Sequence, residues 1–481
     1  MEDVEKHPTS LHILHSFSTT STFSTASTTS TLSTPLKLDL TYRQIWNISI
    51  PIMLGSAAQN VIALSDAVLL YHRGEVEFAA MGFVGVFYIT IAAIGYSFSR
   101  GGQIIIARRM GEGRLEAVGH VFHTMLLFEL ALAALMWAFM RFATPWFFQL
   151  FLDHSPEVYR GALEYIHFRA YGIFFSYAGV AIISLYTGIA RTTFILVDTL
   201  ILAIVNLALN YGLIFGKFGL PEMGIGGSGL ASSIAEGIAC AVFVIYMLFD
   251  KKLRPMRVFS LPEIDWRLTR QQLKISLPVV AHAAVGQGSW IFFFGMVENL
   301  GERSLAISNL ARTVYLLLSI PMWGFASGVN TLVSNLIGQG RQNEVWAAAW
   351  KTGHFCWIIT MVLAVPILFF PGRLLYPLLG KSDMSLVTEA QPVFYLMLLI
   401  LSLATFGSVL VNALSGTGAT WFGLKLQGIS IAVYLAYIFY ITNYTSLGLF
   451  WVWVAETLYW SVMIAMVTYY LRSGRWQGVH F

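Results

Sequence analysis

From residue 45 onward the chain is a succession of apolar runs, each about 20 residues long, the length an α-helix needs to cross a bilayer. Twelve are read, at 45–70, 79–107, 117–140, 160–187, 193–215, 228–249, 274–298, 304–336, 346–370, 388–414, 420–442 and 447–471. Lipid offers no partners to a bare backbone, so only helices or closed barrels span it. These runs are too long for barrel strands. The predicted fold is therefore an all-α polytopic membrane protein of twelve transmembrane helices. Composition agrees: 11% of the 481 residues are charged, against about 25% in ordinary soluble domains.

The polar remainder sets the organisation. Residues 16–34 hold 15 Ser or Thr in 19 positions, too little apolar surface to offset the entropy of ordering. Residues 1–38 are predicted to be a disordered extension, and they lack the continuous apolar core of a signal peptide. The helical part divides into a six-helix lobe (39–249), a basic linker (250–273), a second six-helix lobe (274–471) and a short tail (472–481). Eighteen Lys and Arg fall on the side of the termini and linker, and seven on the other. The positive-inside rule then places both termini in the cytoplasm, with the chain in the plasma membrane, the inner membrane of a bacterium.

The halves repeat. At a shift of 227 residues, "ISIP" (48–51) lies on "ISLP" (275–278), "SFSRG" (97–101) on "GFASG" (324–328), and "MGEGR" (110–114) on "IGQGR" (337–341). Gly74-Glu75 lies on Gly301-Glu302, and at a shift of 228 "GIARTTF" (188–194) lies on "GTGATWF" (416–422). Six helices is an even number, so both copies enter the membrane from the same side. This is a parallel internal repeat, about an axis along the membrane normal, and a cavity between such lobes suits alternating access.

The stretches 51–82, 95–114, "YTGIARTTF" (186–194), "IVNLALNYGLIFG" (204–216) and "GIGGSGLASSIAE" (224–236) resemble, in this order, the multidrug and toxic compound extrusion (MATE) family. The likeness covers about residues 40–471. It implies two six-helix lobes around a V-shaped cavity. It also implies antiport, in which drug-like, often cationic compounds leave as protons, or less favourably sodium ions, enter.

The residue that most demands a function is Asp66, inside "NVIALSDAVLL". A carboxylate at mid-bilayer costs about 2.5–3.5 kcal/mol on insertion scales and is a functional candidate by default. It matches the family's cation-coupling Asp on the first helix. Asn206 and Asn210 share one face of the fifth helix at i, i+4 spacing. With Gln59 and Asn60 on the first helix, they are candidates to hydrogen-bond Asp66 or to ligate a cation by oxygen. One family branch has further acids on helices seven and ten; here those positions read Gly286-Gln287 and about Ala404. Position 66 shifted by 227 is Phe293, so coupling is expected to belong to the first lobe.

Glu236, Glu456 and Gln287 are further coupling or substrate candidates. Glu129 is a candidate partner of Arg169 or Arg100, while Asp198, near the basic end of the fifth helix, reads as interfacial and Glu298 as a rim residue. Tyr171, Tyr177, Trp290, Phe294 and Tyr315 are candidates for cation–π contact with substrate, each against a plain packing role. Cys240 and Cys356 read as packing residues. No motif for ATP hydrolysis or metalloprotease chemistry is present, so no enzyme, metal or cofactor is expected beyond the coupling ion. Expected partners are small-molecule substrates and lipid, not nucleic acid, with the chain a monomer. The alternative reading is a flippase for a lipid-linked sugar. It would want free cations in the cavity, so whether Arg100, Arg169 and Arg312 pair with acids separates the two.

Overall fold

The computed structural model describes residues 38–260, 265–371 and 384–478, and their regular structure is entirely helical. The first lobe holds α1 (Tyr42–Arg73), α2 (Glu75–Gly111), α3 (Leu115–Leu152), α4 (Pro156–Gly188), α5 (Thr193–Phe215) and α6 (Gly224–Phe249). The second holds α7 (Trp266–Glu298), α8 (Glu302–Leu318 and Ile320–Gly338), α9 (Gln342–Phe369), α10 (Met384–Gly416), α11 (Thr420–Tyr444) and α12 (Leu449–Arg472). The two pieces of α8 meet at 44°, and counted as one span they bring the candidate spans to twelve among the described residues.

Local chemistry explains the ends and breaks. The Thr41 hydroxyl accepts the Gln44 N–H at the start of α1. The Asp265 carboxylate accepts the Arg267 and Leu268 N–H groups at the start of α7, which satisfies donors that a helix N-terminus leaves free. The break in α8 falls at Ser319, with Pro321 just inside the second piece, where its missing N–H costs least. The predicted disorder of the Ser/Thr-rich segment lies outside the described residues. Leu38 itself is buried, and its N–H donates to Asn335 Oδ1. The linker is a packed strap. Its 3-10 turn Lys251–Met256 buries Leu253 and Met256 against the first lobe, and His123 Nε2 lies 2.6 Å from the Val258 carbonyl.

The repeat is visible in packing. α1 packs on α5 as α7 packs on α11, α2 on α4 as α8 on α10, and α4 on α6 as α10 on α12. The lobes meet at one end only. There α2 and the Ile320–Gly338 piece of α8 carry small residues that let backbones approach. A Cβ on Gly324 would meet the Ser49 carbonyl oxygen at 2.5 Å and the Met53 Cβ at 2.7 Å. Side chains then bond across the seam: Gln103 to Thr331 (2.9 Å), Ser334 to the Ile104 carbonyl (2.7 Å), Ser276 to the Phe98 carbonyl (2.8 Å) and Arg108 to the Thr417 carbonyl (3.0 Å). Toward the other end stretches of α1 and α7 are exposed, at Gln59–Val61 and at Ala283–Val285, Gln287 and Gly288. The Glu302–Leu318 piece of α8 packs within the second lobe. The lobes are thus joined at the end bearing the α2–α3 and α8–α9 turns, and they part toward the other.

Candidate functional site

The first lobe ties four polar side chains into a buried chain of hydrogen bonds. Asp66 on α1 is 5% exposed. Asn210 on α5 donates through Nδ2 to Asp66 Oδ1 at 2.7 Å and to Asn206 Oδ1 at 3.0 Å. Asn206 in turn donates to Ser232 Oγ on α6 at 3.1 Å. Three helices, α1, α5 and α6, are therefore tied together by four side chains. One acceptor is left over: Asn210 Oδ1 is buried without a hydrogen-bond partner among the described residues. A buried unsatisfied oxygen costs about 1–3 kcal/mol, and a proton on Asp66 or a cation beside it would satisfy this one.

A second polar group lies next to the first. Arg169 on α4 is buried and makes a bidentate ion pair with Glu236 on α6, one bond at 2.7 Å. Its guanidinium stacks over the Tyr88 ring at 3.9 Å. Gly172, one turn along α4, leaves the room that the guanidinium and Ser233 occupy, because a Cβ there would collide with Arg169. The pair forms where the sequence places two opposite charges in apolar runs of one lobe. The separate readings of Arg169 and Glu236 missed it, and the link to Ser232 was missed as well.

Other candidates fall elsewhere. Gln59 and Asn60 do not reach Asp66. Both are exposed, and Asn60 bonds back to the Ser56 carbonyl, because a helix turns such side chains toward their own backbone when no partner faces them. Glu129 pairs with neither arginine; it is fully buried and accepts from Ser99 Oγ at 2.6 Å. Asp198 lies in the second turn of α5, near the end expected, and is buried with Oδ1 unpartnered among the described residues. Glu298 is exposed at the end of α7. Tyr177 is not a surface for ligand. It is fully buried, and its hydroxyl donates to the Ile91 carbonyl at 2.7 Å. Tyr171 is exposed in an apolar groove between α4 and α6, with Phe175, Leu230 and Ile234, away from Asp66's partners.

In the second lobe the aromatic candidates assemble. Trp290 packs on Phe293, Phe294, Tyr315 and Trp453 at centroid distances of 5.6–6.2 Å. Gln287 is exposed one turn away. Glu456 on α12 is buried and accepts from the Tyr434 hydroxyl at 2.9 Å. Of Arg100, Arg169 and Arg312, Arg169 alone meets an acid among the described residues. Arg100 lies 5.7 Å from the Tyr96 ring and Arg312 5.5 Å from the Phe294 ring. No group of His, Cys, Asp and Glu able to hold a metal ion occurs among the described residues.

Comparison with known proteins adds a lineage to this geometry. The sequence profile of the MatE family matches residues 51–212 and 278–441, one stretch in each lobe. A probable multidrug resistance protein NorM of Thermotoga maritima is 21% identical over 443 residues, 90% of this chain and 93% of that one. An outward-facing multidrug resistance MATE family transporter of the MOP superfamily superposes with a TM-score of 0.80 at 20% identity, over 90% of this chain and 95% of its own. A MATE crystal structure in complex with MaL6 gives 0.83 at 19% identity, over 91% and 97%.

Proposed function

The chain belongs to the MATE family, and from that premise we propose that it is a secondary antiporter exporting drug-like, often cationic compounds, driven by protons entering through Asp66. The carrying observation is the Asp66–Asn210–Asn206–Ser232 chain with its one unsatisfied acceptor, Asn210 Oδ1. Ionised, Asp66 accepts from the Asn210 amide. Protonated, it becomes a donor and offers Asn210 Oδ1 the bond it lacks. The two states therefore want different placements of α1 against α5, and a proton taken up on one side of the membrane biases how the helices sit. That is the differential interaction a coupled conformational change requires. A sodium ion beside the same oxygens is the less favoured coupling ion, because the site offers a single carboxylate where hard cations gather several oxygens.

The second lobe contributes the ring surfaces. Trp290, Phe294 and Tyr315 are half-buried and packed on one another, and in this reading their ring faces take the cationic substrate. In this reading the basic end is cytoplasmic, the described form opens outward, and alternating access exchanges the seam at Gln103 and Ser334 for a closure at the far end. Family membership makes the protein a carrier rather than a catalyst.

The test is efflux from proteoliposomes under an imposed pH gradient or, separately, an imposed sodium gradient. Transport driven by the pH gradient and lost in Asp66→Asn is the expected result; sodium-driven transport that is intact in that variant would overturn the assignment. A second reading, flipping of an anionic amphipathic lipid such as a lipid-linked sugar, draws on Arg100 and Arg312, which face rings rather than acids. Scrambling of such a lipid by the same vesicles, without drug efflux, would favour it.

A further inference from the structure

The two lobes can be laid on each other position by position. At the established shifts Asp66 corresponds to Phe293, Tyr88 to Tyr315 and Asn206 to Tyr434. The loop before the last helix is shorter in the second lobe, 445–448 against 216–223, and a glycine at positive φ marks each helix start: Gly224, the first residue of α6, and Gly448, the residue just before α12. Registered on those glycines, Ser232 corresponds to Glu456. The hydrogen bonds agree with this register. Asn206 donates to Ser232 across 26 residues, and Tyr434 donates to Glu456 across 22. One inter-helix contact has been kept in both lobes, and its acceptor has changed from a hydroxyl to a carboxylate.

We propose that Glu456, held by Tyr434 at the second lobe's counterpart of the Asn206–Ser232 contact, is a second proton-carrying site, so that each lobe holds one exchangeable proton on a different helix. Glu456 has no ion pair among the described residues. α11 brings the Tyr434 hydroxyl, α8 brings Tyr315, and α12 itself brings Tyr459. α10 carries Glu389 and Tyr395 near its start; Glu389 is paired with Arg303. Arg312 on α8 is turned over Phe294, and Lys425 lies more than two turns before Tyr434 on α11. A buried carboxyl with only neutral neighbours resolves its desolvation by taking a proton. Here the proton comes from water in the opening between the lobes and returns to water when the lobe re-exposes the site. Tyr434 stabilises the ionised form by donating to it. Residues 282–294 of α7, "HAAVGQGSWIFFF", contain no acid, and α12 supplies the second lobe with a buried carboxylate instead.

Infrared pH-difference spectra of the reconstituted protein test this without relying on transport. Expected is a carboxylic C=O band that disappears in Glu456→Gln and persists in Asp66→Asn. In Tyr434→Phe the same band shifts to higher wavenumber, because its hydrogen bond is gone. A Glu456→Gln spectrum identical to wild type, or an unshifted band in Tyr434→Phe, overturns the proposal. The second variant keeps the test open if the first does not fold. Proton counterflow per tetraphenylphosphonium exported is expected to fall from two to one in Glu456→Gln; an unchanged ratio counts against it. Loss of the Glu456 band with no change in Asp66→Asn leaves this inference standing and overturns only the first-lobe coupling on which its transport consequence rests.

Discussion

The two lobes share a path and differ in what fills it. Where the first has Asp66, Asn206 and Asn210, the second has Phe293, Tyr434 and Ile438, all buried. Where the first has the Arg169–Glu236 pair, the corresponding residues are Met397 and Trp460. Tyr88 and Tyr315 are the same residue in both, yet one lies under a guanidinium and the other against Trp290. Duplication kept the helix order and the close contacts of α1 with α5 and α7 with α11. It did not keep the chemistry of the middle of the membrane. A fold set by apolar length and small-residue contacts tolerates such exchange, which lets one lobe become a polar, charge-bearing core and the other an aromatic one.

Exchanging residues between the lobes breaks this comparison in graded ways. The largest effect is expected from Asp66→Asn, which keeps the shape and removes the exchangeable proton. Efflux under a pH gradient should fall to the protein-free background while expression and thermal stability stay near wild type. Next is Arg169→Met, the second lobe's residue at that place. It leaves Glu236, a half-buried carboxylate, without its partner; the loss should stay below that of breaking a fully buried pair, about 3–5 kcal/mol, and should lower the melting temperature in detergent. Pairing it with Glu236→Gln should recover much of the loss; no recovery would mean that the guanidinium matters mainly for packing. Asn210→Ile, again the second lobe's residue, removes one partner of Asp66 and is expected to cost about 1–3 kcal/mol, with a shifted pH dependence of transport as its second readout. The smallest effect is expected from Tyr177→Phe. It deletes one hydrogen bond to the Ile91 carbonyl, about 0.5–1.5 kcal/mol, and should leave apparent substrate affinity unchanged. A specific loss of affinity would return Tyr177 to the binding surface.

Much of this organisation was legible before any coordinates. Asp66, Asn206 and Asn210 could be grouped because i, i+4 spacing fixes a helix face and because a carboxylate in an apolar run needs a reason. The pairing of Arg169 with Glu236 was not legible, since which helices touch at mid-span is a matter of crossing geometry rather than spacing along the chain. The same limit misplaced Glu129, whose partner is Ser99 on the adjacent α2, and set Gln59 with Asp66 when it is exposed about two turns away. Tyr177 was grouped with exposed rings because aromatic content alone does not distinguish a ring that binds from one that fills.

What the sequence determined by itself is the number of spans, the duplication and the existence of a carboxylate that has to be useful. Each follows from the cost of exposing backbone or charge to lipid, a cost paid residue by residue along the chain. What only the tertiary structure decided is which polar groups satisfy one another. Partners on different helices, Asn210 with Asp66, Arg169 with Glu236 and Tyr434 with Glu456, are chosen by how the helices pack. A hydrogen bond in a low-dielectric core acts over less than the width of one helix.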